Sequence, residues 1–245
     1  MSNKTSKQSL LKMIIPDKGV LVNRPQLGLR VFFAGRCFFS GAVAMFRDAG
    51  CEPADNIDEA ELVVFLGGED IDPALYGDTV HRSTYFNNAR DNGEIEIFLQ
   101  CLALDIPMFG ICRGMQFLHA MSGSKLYQNV SGHSGTDHGI IDLETGEKLM
   151  TTSLHHQMCI ADGTQIPVAK CSESRSQFYS TGTSTLTGIK ALELEAAYYP
   201  SLRAFATQGH PELGSYSDYS DWCISKIQRL YEEQPQQSIT IPQEA

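Results

Sequence analysis

The stretch that most constrains this chain is Glu61-Leu-Val-Val-Phe-Leu66, an apolar run halted by Gly67-Gly68. Consecutive apolar side chains cannot alternate between core and water, so a strand made from them must be covered on both faces. Leu29–Ala34 and Pro107–Gly110 are short apolar strands of the same kind. Between and after them lie helical stretches. Ser40 to Ala49 ends at Gly50, Asn92 to Leu104 places Ile95, Phe98, Leu99 and Leu102 on one face, and Arg113 to Met121 directly follows the third strand. Strands alternating with helices predict a mostly parallel sheet between two helical layers, an α/β/α sandwich. The second half reads as richer in strand, at Lys125–Tyr127, Gly188–Leu194 and Leu202–Thr207, with a closing helix around Trp222 to Tyr231.

These elements set the boundaries. Residues 1–28, interrupted by Pro16 and Pro25, read as an N-terminal extension, residues 29–232 as one domain and residues 233–245 as a flexible tail. The net charge of -10 argues against a nucleic-acid face, which needs clustered Lys and Arg, and against an anionic membrane. No apolar run approaches the roughly 20 residues that span a bilayer. The polar start lacks the apolar segment of a secretory signal, so the expectation is cytoplasmic. Seven cysteines without a C-x-x-C pair suggest neither a disulfide framework nor a zinc knuckle.

One cysteine stands apart. In Phe109-Gly-Ile-Cys-Arg-Gly-Met-Gln116 a strand runs into Gly110, Cys112 occupies the turn and a helix begins near Gly114. This is the cysteine counterpart of the G-x-S-x-G nucleophile elbow. Glycines on either side let strand and helix approach closely, and a helix N-terminus favours a thiolate. A second segment, Phe205-Ala-Thr-Gln-Gly-His-Pro-Glu212, places His210 and Glu212 after an apolar strand, with Pro211 restricting His210 to extended backbone. A base oriented by a third group is the general device for activating a nucleophile. The third segment is the glycine pair after Leu66, where the N–H of Gly68, together with that of Arg113, would receive the oxyanion of a tetrahedral intermediate. His133 and His138, with Asp137 nearby, lie in a glycine-rich stretch whose spacing does not predict converging metal ligands, and no metal or other cofactor is expected.

At these residues the chain resembles the class I glutamine amidotransferase-like superfamily, and within it the γ-glutamyl hydrolase family on its γ-glutamyl-γ-aminobutyrate hydrolase side. GGEDIDPALYG (67–77), GICRGMQ (110–116), SLHHQ (153–157) and QGHPE (208–212) carry the likeness. The resemblance implies a flavodoxin-like three-layer fold, a Cys112–His210–Glu212 triad, and a γ-glutamyl pocket lined by Gln116, His155, His156 and Gln157. It implies hydrolysis of a small γ-glutamylated amine or peptide through a γ-glutamyl thioester. Asp91 and Glu94 match the acids that precede the nucleophile strand and read as structural or pocket-rim groups. Gly209 stands where the family usually has Phe, which would leave room beside His210. Two other readings stay open: a glutaminase serving a separate synthetase partner, and a non-catalytic binding member. A homodimer is equally compatible with the sequence.

Overall fold

The computed structural model describes residues 24–232; the body of the expected N-terminal extension and the whole of the expected tail lie outside that range. The main sheet has nine strands: β1 (Arg30–Ala34), β2 (Glu52–Pro53), β3 (Leu62–Phe65), β4 (Met108–Ile111), β5 (His138–Asp142), β6 (Lys148–Thr151), β7 (Ile166–Cys171), β8 (Leu194–Tyr199) and β9 (Ala204–Thr207). Their order across the sheet is β2-β1-β3-β4-β9-β8-β7-β5-β6. Every pairing from β2 to β9 is parallel, and every pairing from β9 to β6 is antiparallel.

The predicted apolar strands form the parallel half, and β3 and β4 are buried along their whole length. Helices cover both faces, as expected. Helix α1 (Phe39–Asp48) and helix α4 (Ser217–Glu232) pack Met45, Phe46, Trp222 and Ile227 against one side. Helix α2 (Asn88–Leu104) and helix α3 (Arg113–Met121) bring Phe98, Cys101, Phe117 and Leu118 to the other. Among the described residues no helix is long and apolar enough to cross a membrane.

Three expectations need correction. Helix α2 starts at Asn88, capped by the Asn87 side chain, and its buried face is Asp91, Glu94, Phe98 and Cys101 while Leu99 and Leu102 are 57% and 44% exposed. Apolar periodicity misplaced that face because two of its members are ion-paired acids. The strand expected over Gly188–Leu194 begins only at Leu194, and Gly188 sits at φ +69°. In Leu202–Thr207, Pro200–Leu202 makes a 3-10 turn, Arg203 takes a positive φ, and the strand starts at Ala204. Strands β5 and β6 carry no clear apolar run because, on antiparallel strands with one partly wetted face, only alternate residues are buried.

Strand register draws three chain segments together. Phe65 pairs with Gly110 on one side of β4, and Thr207 pairs with Ile111 on the other. Chain leaving β3, β4 and β9 at their carboxyl ends must therefore meet, the place where open α/β sheets bind ligands.

Candidate active site

The turn after β4 is as tight as its glycines suggest. A Cβ on Gly110 would lie 2.6 Å from the Gly114 backbone, and one on Gly114 would run into the Phe65 carbonyl oxygen. Neither backbone can yield, so both positions require glycine. Cys112 between them adopts φ 53°, ψ −105°, an uncommon conformation for a residue with a side chain, and starts helix α3. Its N–H donates to the Thr207 carbonyl at 2.8 Å, tying the elbow to β9.

Three residues beyond β9, His210 is buried, and its N–H donates to the Thr152 carbonyl at 3.3 Å. Its Nδ1 lies 2.8 Å from Glu212 Oε1, while its Nε2 is buried with no hydrogen-bond partner. Phe38 packs edge-on to the ring at 5.4 Å between centroids. A Cβ placed on Gly67 would come within 3.0 Å of His210 Cε1 and 3.8 Å of Cys112 Cβ, so the three segments converge on one spot. Burial pushes the His210 pKa down, but attraction to a Cys112 thiolate and then to Glu212 outweighs it and raises the pKa to about 10. The arrangement favours a protonated ring beside Cys112, with the carboxylate holding Nδ1 and fixing the ring's orientation.

Gly68, at φ +149°, abuts Arg90, a side chain that no motif singles out. A Cβ on Gly68 would run into Arg90 Nη1. The Nη2 of Arg90 donates to the carbonyls of Leu66 and Gly67 at 3.1 and 2.8 Å. Nε binds Glu94 at 2.8 Å and Nη1 binds Glu69 at 2.7 Å. Arg113, fully buried, pairs with Asp91 and Glu94. Asp91 and Glu94 are thus structural groups at the site's edge, as expected. Arg90-Asp-x-x-Glu94 beside an arginine following the nucleophile was the available signal.

The expected pocket residues divide. Gln116 is buried one helical turn after Cys112, its N–H donating to the Cys112 carbonyl and its side chain reaching Gln208 at 3.4 Å. His156 bridges to Asp70 at 3.1 Å and keeps a third of its side chain exposed. Gln157 is buried against Thr84, with Oε1 unpartnered. His155 is buried with Nδ1 2.8 Å from the Gln157 carbonyl, and burial drives its pKa down to about 3. Its ring packs 4.7 Å from that of His133, away from the solvent-facing His156.

Gly209 leaves no room beside His210. A Cβ there would run into Thr151 Oγ1 and come within 2.8 Å of the Tyr219 hydroxyl, so the space a larger residue would take is filled from β6 and α4. His133 and His138 do converge, contrary to the reading of their spacing, because the sheet brings Glu195 between them. Their donor atoms lie within 4.8 Å of one another and could hold a metal ion. Asp137 stays outside, bound to Tyr216 at 2.9 Å.

A mixed α/β sandwich with a thiol elbow at the carboxyl ends of its parallel strands defines the class I glutamine amidotransferase fold. Residues 45–212 match the family model described as peptidase C26, and the chain belongs to that family. It is 38% identical over 118 residues to the carbamoyl phosphate synthase small chain of Stutzerimonas stutzeri, covering 48% of this chain and 27% of that protein. It is 30% identical over 128 residues to the Pyrococcus furiosus counterpart, covering 52% of this chain and 30% of the other. The matches thus span less than a third of those relatives' own length. A solved structure of PurLQS from Thermotoga maritima superimposes with TM-score 0.58 at 18% identity, over 86% of this chain and 100% of that one, which bears on the fold alone.

Proposed function

We propose that the chain hydrolyses the γ-glutamyl amide bond of a γ-glutamylated amine or peptide through a thioester on Cys112. The observation that carries this reading is a thiol at a positive-φ elbow beside a buried imidazole that Glu212 holds by one nitrogen and that has the other unpartnered.

The Cys112 thiolate attacks the side-chain carbonyl of the γ-glutamyl group. The N–H groups of Gly68 and Arg113 receive the oxyanion. Imidazolium His210 gives its proton to the departing amine as the C–N bond breaks, which leaves the thioester and a neutral imidazole. His210 then takes a proton from water as the oxygen adds. Collapse expels the thiolate, restores the ion pair and releases glutamate, whose new carboxyl loses its proton to solvent. Glu212 keeps the ring oriented and stabilises its charged form. Gln116, His156 and Gln157 surround the γ-glutamyl group, and His155 supports that segment from behind.

The likeness to carbamoyl phosphate synthase small chains favours a second reading, in which glutamine is the substrate and ammonia passes to a separate synthetase. Incubating the purified chain alone with γ-glutamyl-γ-aminobutyrate and with glutamine separates the two. Turnover of the first without a partner supports the hydrolase. Turnover of glutamine alone transfers the assignment to the glutaminase, and turnover of neither removes the hydrolase reading.

A further inference from the structure

Resting on that reading, we infer that Arg90 is a positioning residue: it sets the Gly67–Gly68 peptide that supplies one oxyanion donor, through an ion network that also fixes the other. In a trans peptide the carbonyl and the following N–H point in opposite directions, and the described residues contain no cis bond. Arg90 Nη2 grips the Gly67 carbonyl at 2.8 Å and that of Leu66 at 3.1 Å, so the Gly68 N–H is turned away from the guanidinium. Gly67 itself faces His210 and Cys112. A glycine pair has almost no conformational preference of its own, so without this grip the peptide would be free to rotate.

The same arginine reaches the second donor indirectly. Glu94 accepts from Arg90 Nε with one oxygen and from Arg113 with the other. Asp91 accepts from Arg113 and, with its second oxygen, from the Asp72 N–H at 3.1 Å. The first turns of α2 therefore clamp three things: the end of β3, the loop after it and the first residue of α3. The side chains of Asp91, Glu94 and Arg113 are at most 3% exposed and that of Arg90 is 16% exposed. Apolar residues of similar size would hold α2 in place at less desolvation cost. They could not bind two carbonyl oxygens, which a planar guanidinium does with a fixed fork.

The test compares Arg90→Met and Arg90→Lys with wild type by crystallography, by the single-turnover rate of thioester formation from γ-glutamyl-γ-aminobutyrate, and by alkylation of Cys112 with iodoacetamide. In Arg90→Met the Gly67–Gly68 peptide rotates and thioester formation slows about a hundredfold. KM stays within a few-fold, and alkylation keeps its wild-type rate because the thiolate–imidazolium pair is intact. Arg90→Lys recovers part of the rate, since an ammonium can bind a carbonyl but cannot also hold Glu94 in a fork. An unmoved peptide in Arg90→Met overturns the inference, and so does a parallel loss of alkylation, which would mean Arg90 acts on the nucleophile. Should Arg90→Met fail to fold, the peptide's orientation in Arg90→Lys decides. If wild type cleaves no γ-glutamyl amide, the functional reading falls while the crystallographic comparison still judges the positioning role.

Discussion

Two buried histidine–glutamate pairs belong to this sheet, one just beyond the end of β9 and one joining β5 to β8 across β7, and their likeness is close. His210 meets Glu212 at 2.8 Å and His138 meets Glu195 at 2.9 Å. Each imidazole has its pKa pushed up to about 10 against the cost of burial. The difference lies in the rest of each ring. His138 too lies beside a thiol, since Cys171 and then Glu195 raise its proton affinity, but its Nδ1 is taken by the Thr136 carbonyl at 3.3 Å and its Nε2 by Glu195, so both its nitrogens are occupied. His210 keeps Nε2 unpartnered, and the charge that most raises its proton affinity is that of Cys112. A raised pKa beside a carboxylate therefore does not mark a proton-transfer site. A free ring edge facing a nucleophile does.

The largest effect expected from breaking this contrast is at the thiol. Cys112→Ser should fold normally and lose turnover by about 10^6-fold. In that variant the His210 ring, followed by its NMR titration, should protonate at lower pH than in wild type, while His138 does not shift. If both rings moved together, the distinction between the pairs would be lost. Next come the partners: His210→Asn should approach the loss at Cys112, and Glu212→Gln should cost roughly 10^4-fold, because orientation is weakened while the base remains. Equal losses from these two, measured as kcat/KM, would contradict separate roles.

The pH profile sharpens the comparison further. His210 has a folded pKa above its unfolded value of 6.5. The protonated ring therefore adds stability that is fully present below pH 6.5 and is lost as pH rises through about 10. Activity should follow the same proton, with kcat/KM falling tenfold per pH unit above about 10. A fall centred near 6.5 would mean that the ion pair does not form. The smallest effect on chemistry belongs to the second pair. Glu195→Gln removes the charge that holds His138 and, being fully buried, should destabilise the fold by about 3 kcal/mol. The kcat of the folded fraction should stay within a few-fold of wild type. A denaturation curve and a rate on the same sample separate the two quantities.

The parallel half of the sheet was readable because both its faces are covered, so Leu62–Leu66 and Pro107–Gly110 stand out as unbroken apolar runs. The elbow was readable because Gly110 and Gly114 each face backbone that no side chain could displace. The antiparallel half was hidden by alternation, and its histidines by distance: Glu195 lies some sixty residues from His138 and reaches it only through the pairing of β8, β7 and β5. Arg90 was hidden for another reason. Arg90-Asp-x-x-Glu94 signals its ion pairs, but its grip on the Leu66 and Gly67 carbonyls leaves no mark in the sequence. The supposed space at Gly209 shows the converse risk, since a missing side chain on one segment was filled by Thr151 and Tyr219 from two others.

The most direct test of the central claim is covalent. The chain is treated with a glutamine-mimicking diazoketone and digested for mass spectrometry, alongside His210→Asn and Glu195→Gln. One adduct on Cys112 and none on the other six cysteines is the predicted result, forming much more slowly in His210→Asn and at the wild-type rate in Glu195→Gln. An adduct on a different cysteine, or labelling of Cys112 indifferent to His210, would contradict the account.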